Sequence, residues 1–305
     1  MTLQPQLALL EQRFKPSPLT QILDPALAAY PVELWLKRDD LLHPIISGNK
    51  WRKLKYLLNH ALSLDCDTLI SMGGAYSNHL HALAYAGHCL GLNTIGLIRG
   101  EQPAQLTPSL LDMQAWGMKL QFVSRSDYRQ LRHYLHWQDL PGLAANQYWI
   151  PEGGAQPLAL QGVGELITEI DMAYDHLCVA CGTGTTLSGM IAAAPKQASI
   201  TGFAVFKHAE FLNQDVARLL GQPQDNWQIN HDYHGGGFAK SSAELLAFID
   251  RFQQVTQIAI EPVYTGKMLF GIYDLLSKGY FQGNQRIIAL HTGGLQGNRG
   301  FSGVM

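Results

Sequence analysis

The sequence predicts an α/β protein of two domains, with mainly parallel twisted sheets covered by helices. Three observations carry that expectation: apolar runs of strand length recur along the chain, segments with helical spacing lie between most of them, and glycine clusters follow several of the runs. The expected strands are Glu33 to Lys37, Thr68 to Met72, Thr94 to Ile98, Lys119 to Val123, Gln147 to Ile150, His176 to Ala180, Ile200 to Phe206 and Arg286 to Leu290. From Lys50 to Leu62 the residues Trp51, Leu54, Leu58 and Ala61 form one helical stripe, with Arg52, Lys53 and Lys55 off it. A second helix runs from Ser77 through Leu80, Leu83, Ala84 and Leu90, and a third carries Leu187, Met190 and Ile191. From Lys267 to Leu276, Met268, Leu269, Ile272 and Leu275 share a face.

Composition bounds the partners. The chain has 305 residues, 47% hydrophobic and 15% charged, enough apolar content for a globular core. At roughly 100–200 residues per domain the length suits two domains, or one large α/β unit. Lys and Arg number 22 against 24 Asp and Glu, with no basic block, so nothing marks a nucleic-acid or anionic-membrane partner. No run of roughly 18 apolar residues occurs. The opening Met-Thr-Leu-Gln-Pro-Gln has no basic flank leading into an apolar stretch, and a cytoplasmic protein is expected. Four cysteines are too few for a disulfide framework. Cys178 and Cys181 make a C-x-x-C without a second pair, and read as small residues of a buried strand, so no metal is expected. The segment from Ile150 to Pro157 combines proline and glycine signals and is the expected crossing between domains.

Glycine is the unusual residue, 30 in the chain where roughly 7% is ordinary, so its placement matters. Three clusters follow strands, where open α/β sheets build ligand sites: Gly73-Gly74-Ala75-Tyr76-Ser77-Asn78-His79, Cys181-Gly182-Thr183-Gly184-Thr185-Thr186 and His291-Thr292-Gly293-Gly294. The free amides and hydroxyls from Gly182 to Thr186 suit a phosphate dianion; the plain alternative is a strand-to-helix turn. No Gly-Lys-[Ser/Thr] follows, so it is not a P-loop, and Leu187 stands where the dinucleotide fingerprint has glycine. Ser77 and Asn78 can reach into a site from their helix start, or Ser77 can simply cap it. Lys50, after Ser47-Gly48-Asn49, can form a Schiff base if burial and the charges of Arg52 and Lys53 lower its pKa. Lys53, Lys55 and Lys267 read as solvated surface lysines, and Trp51 and the aromatic set from Tyr128 to Trp137 as packing or interface residues.

In order, Ser47-Gly48-Asn49-Lys50, the Gly73 to His79 cluster, Gly182 to Thr186, Glu261-Pro262-Val263-Tyr264-Thr265-Gly266-Lys267 and His291 to Gly294 form a recognisable set. They resemble the landmarks of the pyridoxal-phosphate-dependent D-cysteine desulfhydrase and 1-aminocyclopropane-1-carboxylate deaminase family, of the tryptophan-synthase β-subunit fold type. The resemblance spans residues 47 to 294. It implies pyridoxal 5'-phosphate held covalently by Lys50, with Gly182, Thr183, Gly184, Thr185 and Thr186 around its phosphate. Asn78 would meet the ring hydroxyl oxygen, and Thr265 or Thr292 would offer a hydroxyl to the pyridine nitrogen. Ser77 would sit beside the reacting carbons, and Tyr264 would line the substrate face. His79 is expected on the substrate side because it follows Ser77 and Asn78 in the chain. The resemblance also implies a smaller domain at 45–155, a larger one at 1–44 plus 156–305, the cofactor between them, and a homodimer.

The departures from the family pattern select among reactions. The cyclopropane-cleaving branch has a glutamate after the tyrosine matching Tyr264, and here Thr265 follows. A neutral hydroxyl stabilises a protonated ring less, and the weaker electron sink suffices for β-elimination. Phe238 replaces a second family tyrosine, and Tyr76 stands where glutamine is commoner. The expectation is a desulfhydrase-like lyase or deaminase of a small amino acid, giving keto acid, ammonia and, from cysteine, sulfide. The alternatives are ring opening of 1-aminocyclopropane-1-carboxylate to 2-oxobutanoate and ammonia, and a non-catalytic cofactor-binding or regulatory protein.

Overall fold

A computed structural model describes residues 2–300; Met1 and residues 301–305, at the outer ends of the expected larger domain, lie outside the described residues. The chain enters through α1 (Pro5–Glu11), β1 (Leu19–Gln21) and β2 (Val32–Lys37). There follow α2 (Asn49–Ser63), β3 (Thr68–Gly73), α3 (Asn78–Leu90), β4 (Asn93–Arg99), α4 (Pro108–Ala115), β5 (Met118–Val123), α5 (Arg125–Leu131) and β6 (Gln147–Ile150). The remainder supplies α6 (Pro157–Thr168), β7 (His176–Cys181), α7 (Thr185–Ala193), β8 (Ser199–Ala204) and α8 (Phe211–Leu220). It closes with β9 (Trp227–Asn230), α9 (Ala243–Thr256), α10 (Thr265–Ser277) and β10 (Gln285–Leu290).

Strands β3 to β6 form an all-parallel sheet in the order β5-β4-β3-β6. The other six form the sheet β1-β2-β10-β7-β8-β9, in which β1 alone runs antiparallel to its neighbour. Parallel neighbours need long crossovers, and the helices supply them. Every residue of β3 is buried, as a strand covered on both faces requires. The expected strands are all present, although the run from Ile200 to Phe206 overshoots, since β8 ends at Ala204. Strands β1 and β9 carry no sequence signal: they are short, partly polar edge strands, with too few residues to show a period.

Helix α2 corrects the sequence expectation. Its apolar stripe is buried, but Arg52, Lys53 and Lys55 are only 3%, 5% and 7% exposed. The helix is flanked by α3 and α6, so two of its faces are covered. Gly162 allows α6 to approach: a methyl group there would lie 2.0 Å from the Arg52 carbonyl oxygen. The Arg52 guanidinium donates to both oxygens of Asp39 at 2.7 and 2.8 Å and to both of Glu169 at 2.8 Å. Lys37 joins Glu169 at 2.6 Å, and the Ser17 hydroxyl donates to Asp39 at 2.7 Å. Lys55 pairs with Glu11 at 2.6 Å and Glu165 at 2.8 Å. Lys267 is likewise buried, its Nζ donating to the Gly237 carbonyl at 2.7 Å.

Removing one partner from a buried ion cluster leaves the others uncompensated, and Asp39 has no exposure to water. Arg52→Ala is expected to lower stability by about 3–5 kcal/mol in urea unfolding followed by circular dichroism. A loss under about 1 kcal/mol, the range of a surface pair, would show that the cluster does not tie α2 down.

Candidate active site

The loops after β3, β7 and β10 converge on the start of α2. The contact is closest between the Ser47-Gly48 turn and Thr292-Gly293. A methyl group on Gly48, whose φ is 66°, would lie 1.8 Å from the Thr292 carbonyl oxygen; one on Gly293 would lie 2.4 Å from Ser47 Oγ. Gly294 abuts Asn78 in the same way, with 2.5 Å from such a methyl to Nδ2. Only glycine leaves room for this approach at a positive φ.

Lys50 is the second residue of α2 and is half-buried. Its Nζ donates to Asn49 Oδ1, and Asn49 Nδ2 donates at 2.7 Å to Thr186 Oγ1, bridging the start of α2 to the loop after β7. Burial lowers the Lys50 ammonium to about 8, against an opposing pull from the Glu261 carboxylate. Burial therefore does what the sequence reading assigned partly to Arg52, whose charge is held by Asp39 and Glu169 instead. Lys53, three residues on, is driven well below the ordinary lysine range by burial and then by the charge of Lys50. It has no ion pair among the described residues.

The loop from Gly182 to Thr186 opens α7 with Gly184 at φ 73° as its N-cap, and no side chain caps the first turn. Thr183 Oγ1 and Thr185 Oγ1 are 2.9 Å apart, and Thr185 and Thr186 are buried. Uncapped amides beside three hydroxyls and a buried lysine make a fit for a phosphate dianion. A methyl on Gly153 would lie 2.9 Å from Thr183 Cγ2, and one on Gly154 3.5 Å from His79 Cε1. The Pro-Glu-Gly-Gly segment, read from sequence as a crossing, thus lines the site.

Ser77 caps α3, accepting from the Leu80 amide at 3.2 Å, and it and Asn78 are half-buried. Asn78 Oδ1 accepts from Gln296 Nε2 at 2.5 Å. His79 is turned into the small sheet. Its Nε2 lies 3.0 Å from Ser71 Oγ, whose own proton goes to the Ile150 carbonyl at 2.7 Å. That network assigns the His79 proton to Nε2 and leaves Nδ1 a buried acceptor without a partner among the described residues. Burial and the charges of Lys53 and Lys50 hold His79 neutral.

On the opposite wall, Glu261 accepts from the amides of Val263, Tyr264 and Thr265 at 2.7, 2.9 and 2.6 Å and so shapes the start of α10. Burial nevertheless leaves its carboxyl above the ordinary range. Tyr264 packs on Gly182, and burial raises its phenol, which stays protonated. Thr265 Oγ1 and Thr292 Oγ1, both buried, are 3.5 Å apart. Phe238 is edge-on to Tyr264 and stacks on Phe206, with centroid distances of 6.0 and 5.0 Å. Cys178 and Cys181 are buried in different core clusters, because a spacing of three places them on opposite faces of β7.

Sequence reasoning passed over Asn49, Lys53, Gly153, Gly154, Glu261 and Gln296. The signal for Gly153 and Gly154 was present, since they too follow a strand, β6.

A parallel α/β frame that brings a desolvated lysine to an uncapped, threonine-lined helix start defines a class: proteins that hold a phosphorylated carbonyl compound by both ends. The family described as "Pyridoxal-phosphate dependent enzyme" matches residues 10–293, and the chain belongs to it. It is 31% identical over 296 residues to "Bifunctional D-cysteine desulfhydrase/1-aminocyclopropane-1-carboxylate deaminase, mitochondrial" of Arabidopsis thaliana, covering 87% of this chain and 73% of the other. It is 28% identical to "D-cysteine desulfhydrase" of Yersinia enterocolitica serotype O:8 / biotype 1B, covering 86% of each. Among solved structures, "Crystal Structure Analysis of the ACC deaminase homologue" superposes with a TM-score of 0.80 at 27% identity, covering 99% of this chain and 98% of that one. Threonine deaminase isoform 2 of Solanum lycopersicum shares the fold, with a TM-score of 0.69 at 14% identity over 95% and 82% of the two chains. The architecture is that of the fold-type II pyridoxal-phosphate enzymes, and the cofactor is pyridoxal 5'-phosphate.

Gly48→Ala would drive a methyl into the Thr292 carbonyl. It is expected to cost about 2–3 kcal/mol of stability and to weaken cofactor retention, read by thermal melting and visible absorbance. Unchanged melting and colour would show that the two loops can part freely.

Proposed function

We propose that this enzyme is a D-cysteine desulfhydrase-like lyase, converting a small amino acid with a leaving group on Cβ to keto acid and ammonia, with sulfide from cysteine. The observation that carries this reading is the Thr265–Thr292 hydroxyl pair, 3.5 Å apart, in place of a carboxylate after Tyr264. The nearest acid in the motif, Glu261, is engaged by three backbone amides. Neutral hydroxyls favour β-elimination, which makes a smaller demand on the electron sink than opening a ring whose carbon has no Cα proton. The names of the Arabidopsis and Yersinia relatives support the same reading.

Bound pyridoxal phosphate supplies an extended π system that accepts electrons as a bond to Cα breaks. In this reading Lys50 would anchor the cofactor covalently, and its amine would take the proton from the substrate Cα. A pKa of about 8 leaves part of its amine neutral near physiological pH. The uncapped amides of α7, with Thr183, Thr185 and Thr186, would hold the phosphate, whose negative charge would favour the protonated form of the buried Lys53 amine. Asn78 holds the ring hydroxyl oxygen, braced by Gln296. Ser77 faces the reacting carbons, and the protonated Tyr264 phenol lines the substrate face. His79 acts from behind the site, as a neutral side chain that fixes the Asn78 turn to the sheet.

The same reading takes residues 45–155 as the smaller domain and 1–44 plus 156–305 as the larger, with the cofactor between them, and the working form as a cytoplasmic homodimer. Among the described residues no helix is long and apolar enough to cross a membrane. A second reading, ring opening of 1-aminocyclopropane-1-carboxylate, draws on the bifunctional Arabidopsis relative.

The purified protein is expected to be yellow, to lose its visible band on borohydride reduction, and to be colourless as Lys50→Ala. A Lys50→Ala variant still reducible by borohydride would move the anchor to another lysine. Because only the neutral amine reacts, apoprotein should take up pyridoxal phosphate at a rate that rises with pH through about 8 and then levels off. A rate still climbing beyond pH 9.5 would mean that Lys50 is solvated, like a free lysine at 10.5. Given D-cysteine, L-cysteine, D-serine and 1-aminocyclopropane-1-carboxylate, the enzyme should release sulfide from D-cysteine. Ammonia and 2-oxobutanoate from the cyclopropane substrate alone would establish the second reading instead.

A further inference from the structure

At the carboxyl-terminal ends of β4 and β5 lies an open depression of about 330 Å³ lined by Arg99, Arg125, Tyr128, Arg129 and Arg132. Arg99 is the last residue of β4, and the other three arginines lie on α5 or at its end. Tyr128 is the buried floor, with the guanidinium carbons of Arg99 and Arg132 5.9 and 5.7 Å from its ring centroid. Its hydroxyl donates to Glu152 Oε1 at 2.5 Å, and Arg132 Nε donates to Glu152 Oε2 at 2.7 Å. Arg99, Arg125 and Arg129 make no ion pair among the described residues. Asp127, on the same helix, faces the helix start, where it accepts from the Ser124 hydroxyl at 2.7 Å.

Four guanidinium groups around one depression repel one another, and the two carboxylates that act on Arg132, Glu152 in contact and Asp215 through its charge, offset only part of that repulsion. Their forks match oxyanions in pairs, and the volume is at the lower end of small-ligand sites, roughly 300–1,000 Å³. We propose that this arginine-lined depression, whose lining residues are none of those assigned to pyridoxal phosphate, is a second ligand site that binds a small multivalent oxyanion. Polyphosphates and tricarboxylates share that chemistry. Glu152 touches both places, since Gly153 beside it packs on Thr183 of the phosphate cradle. The site is defined by its own residues and does not depend on which amino acid the enzyme consumes.

The test is titration calorimetry of the holoenzyme, whose cofactor keeps the phosphate cradle filled, at low ionic strength with pyrophosphate and separately with citrate. Saturable binding of at least one probe is expected, weakened about tenfold or more in Arg99→Ala/Arg129→Ala. Both side chains are exposed, so this variant should melt like the parent. Arg125→Ala gives an independent second variant with the same expected direction. Binding of pyrophosphate alone or of citrate alone supports the site and identifies its source. Absence of saturable binding by either probe, or affinity unchanged in both variants, overturns it.

Discussion

The backbone of Gly48 lies so close to the Thr292 carbonyl that no side chain fits between them, and the surroundings of Lys50 follow from that contact. It seats the first turn of α2 on the loop after β10, a strand of the other sheet. Asn49 then reaches Thr186, and Lys50 turns in beside it. Gly293 and Gly294 repeat the approach against Ser47 and Asn78, so segments distant in sequence meet through backbone. Backbone contacts of this kind leave few rotamers to choose among, which suits a site where placement within about half an ångström matters.

The second constraint is how buried charge is compensated. Arg52 and Lys37 are matched by Asp39 and Glu169, Lys55 by Glu11 and Glu165, and Lys267 by a backbone carbonyl. Among the described residues Lys50 and Lys53 have no ion-pair partner, and burial drives their ammonium groups downward. Desolvated amines beside an uncapped helix start are costly in a stable fold, and groups perturbed in this way cluster at functional sites. Thus α2 serves two purposes with one sequence: its outer cations lock it between helices, and its inner ones are left reactive.

Much of the fold was legible because strands covered on both faces are apolar runs, and these stand out in a chain rich in polar turns. Strands β1 and β9 were not, because each pairs along one edge only and needs little apolar character. The candidate site was legible as far as glycine, hydroxyl and lysine clusters fall next to strands. Asn49 looked like part of a turn, and its bridge to Thr186 joins residues 137 positions apart. The glycine pair at 153 and 154 obeyed the rule that exposed the other loops, yet its neighbouring prolines suggested a linker.

The sequence by itself determined the α/β frame, the family landmarks and which residue types stand at strand ends, since these are local patterns of spacing and composition. It could not rank the lysines. Lys50, Lys53 and Lys55 occupy one helix, and periodicity assigned the last two to water. Only the tertiary structure decided that all three are wholly or partly removed from water, that Lys55 pairs with two glutamates, and that among the described residues Lys50 and Lys53 form no ion pair, Lys50 feeling Glu261 only at a distance. Desolvation and pairing depend on what other segments bring to the same place, and that placement is not written in any window of the chain.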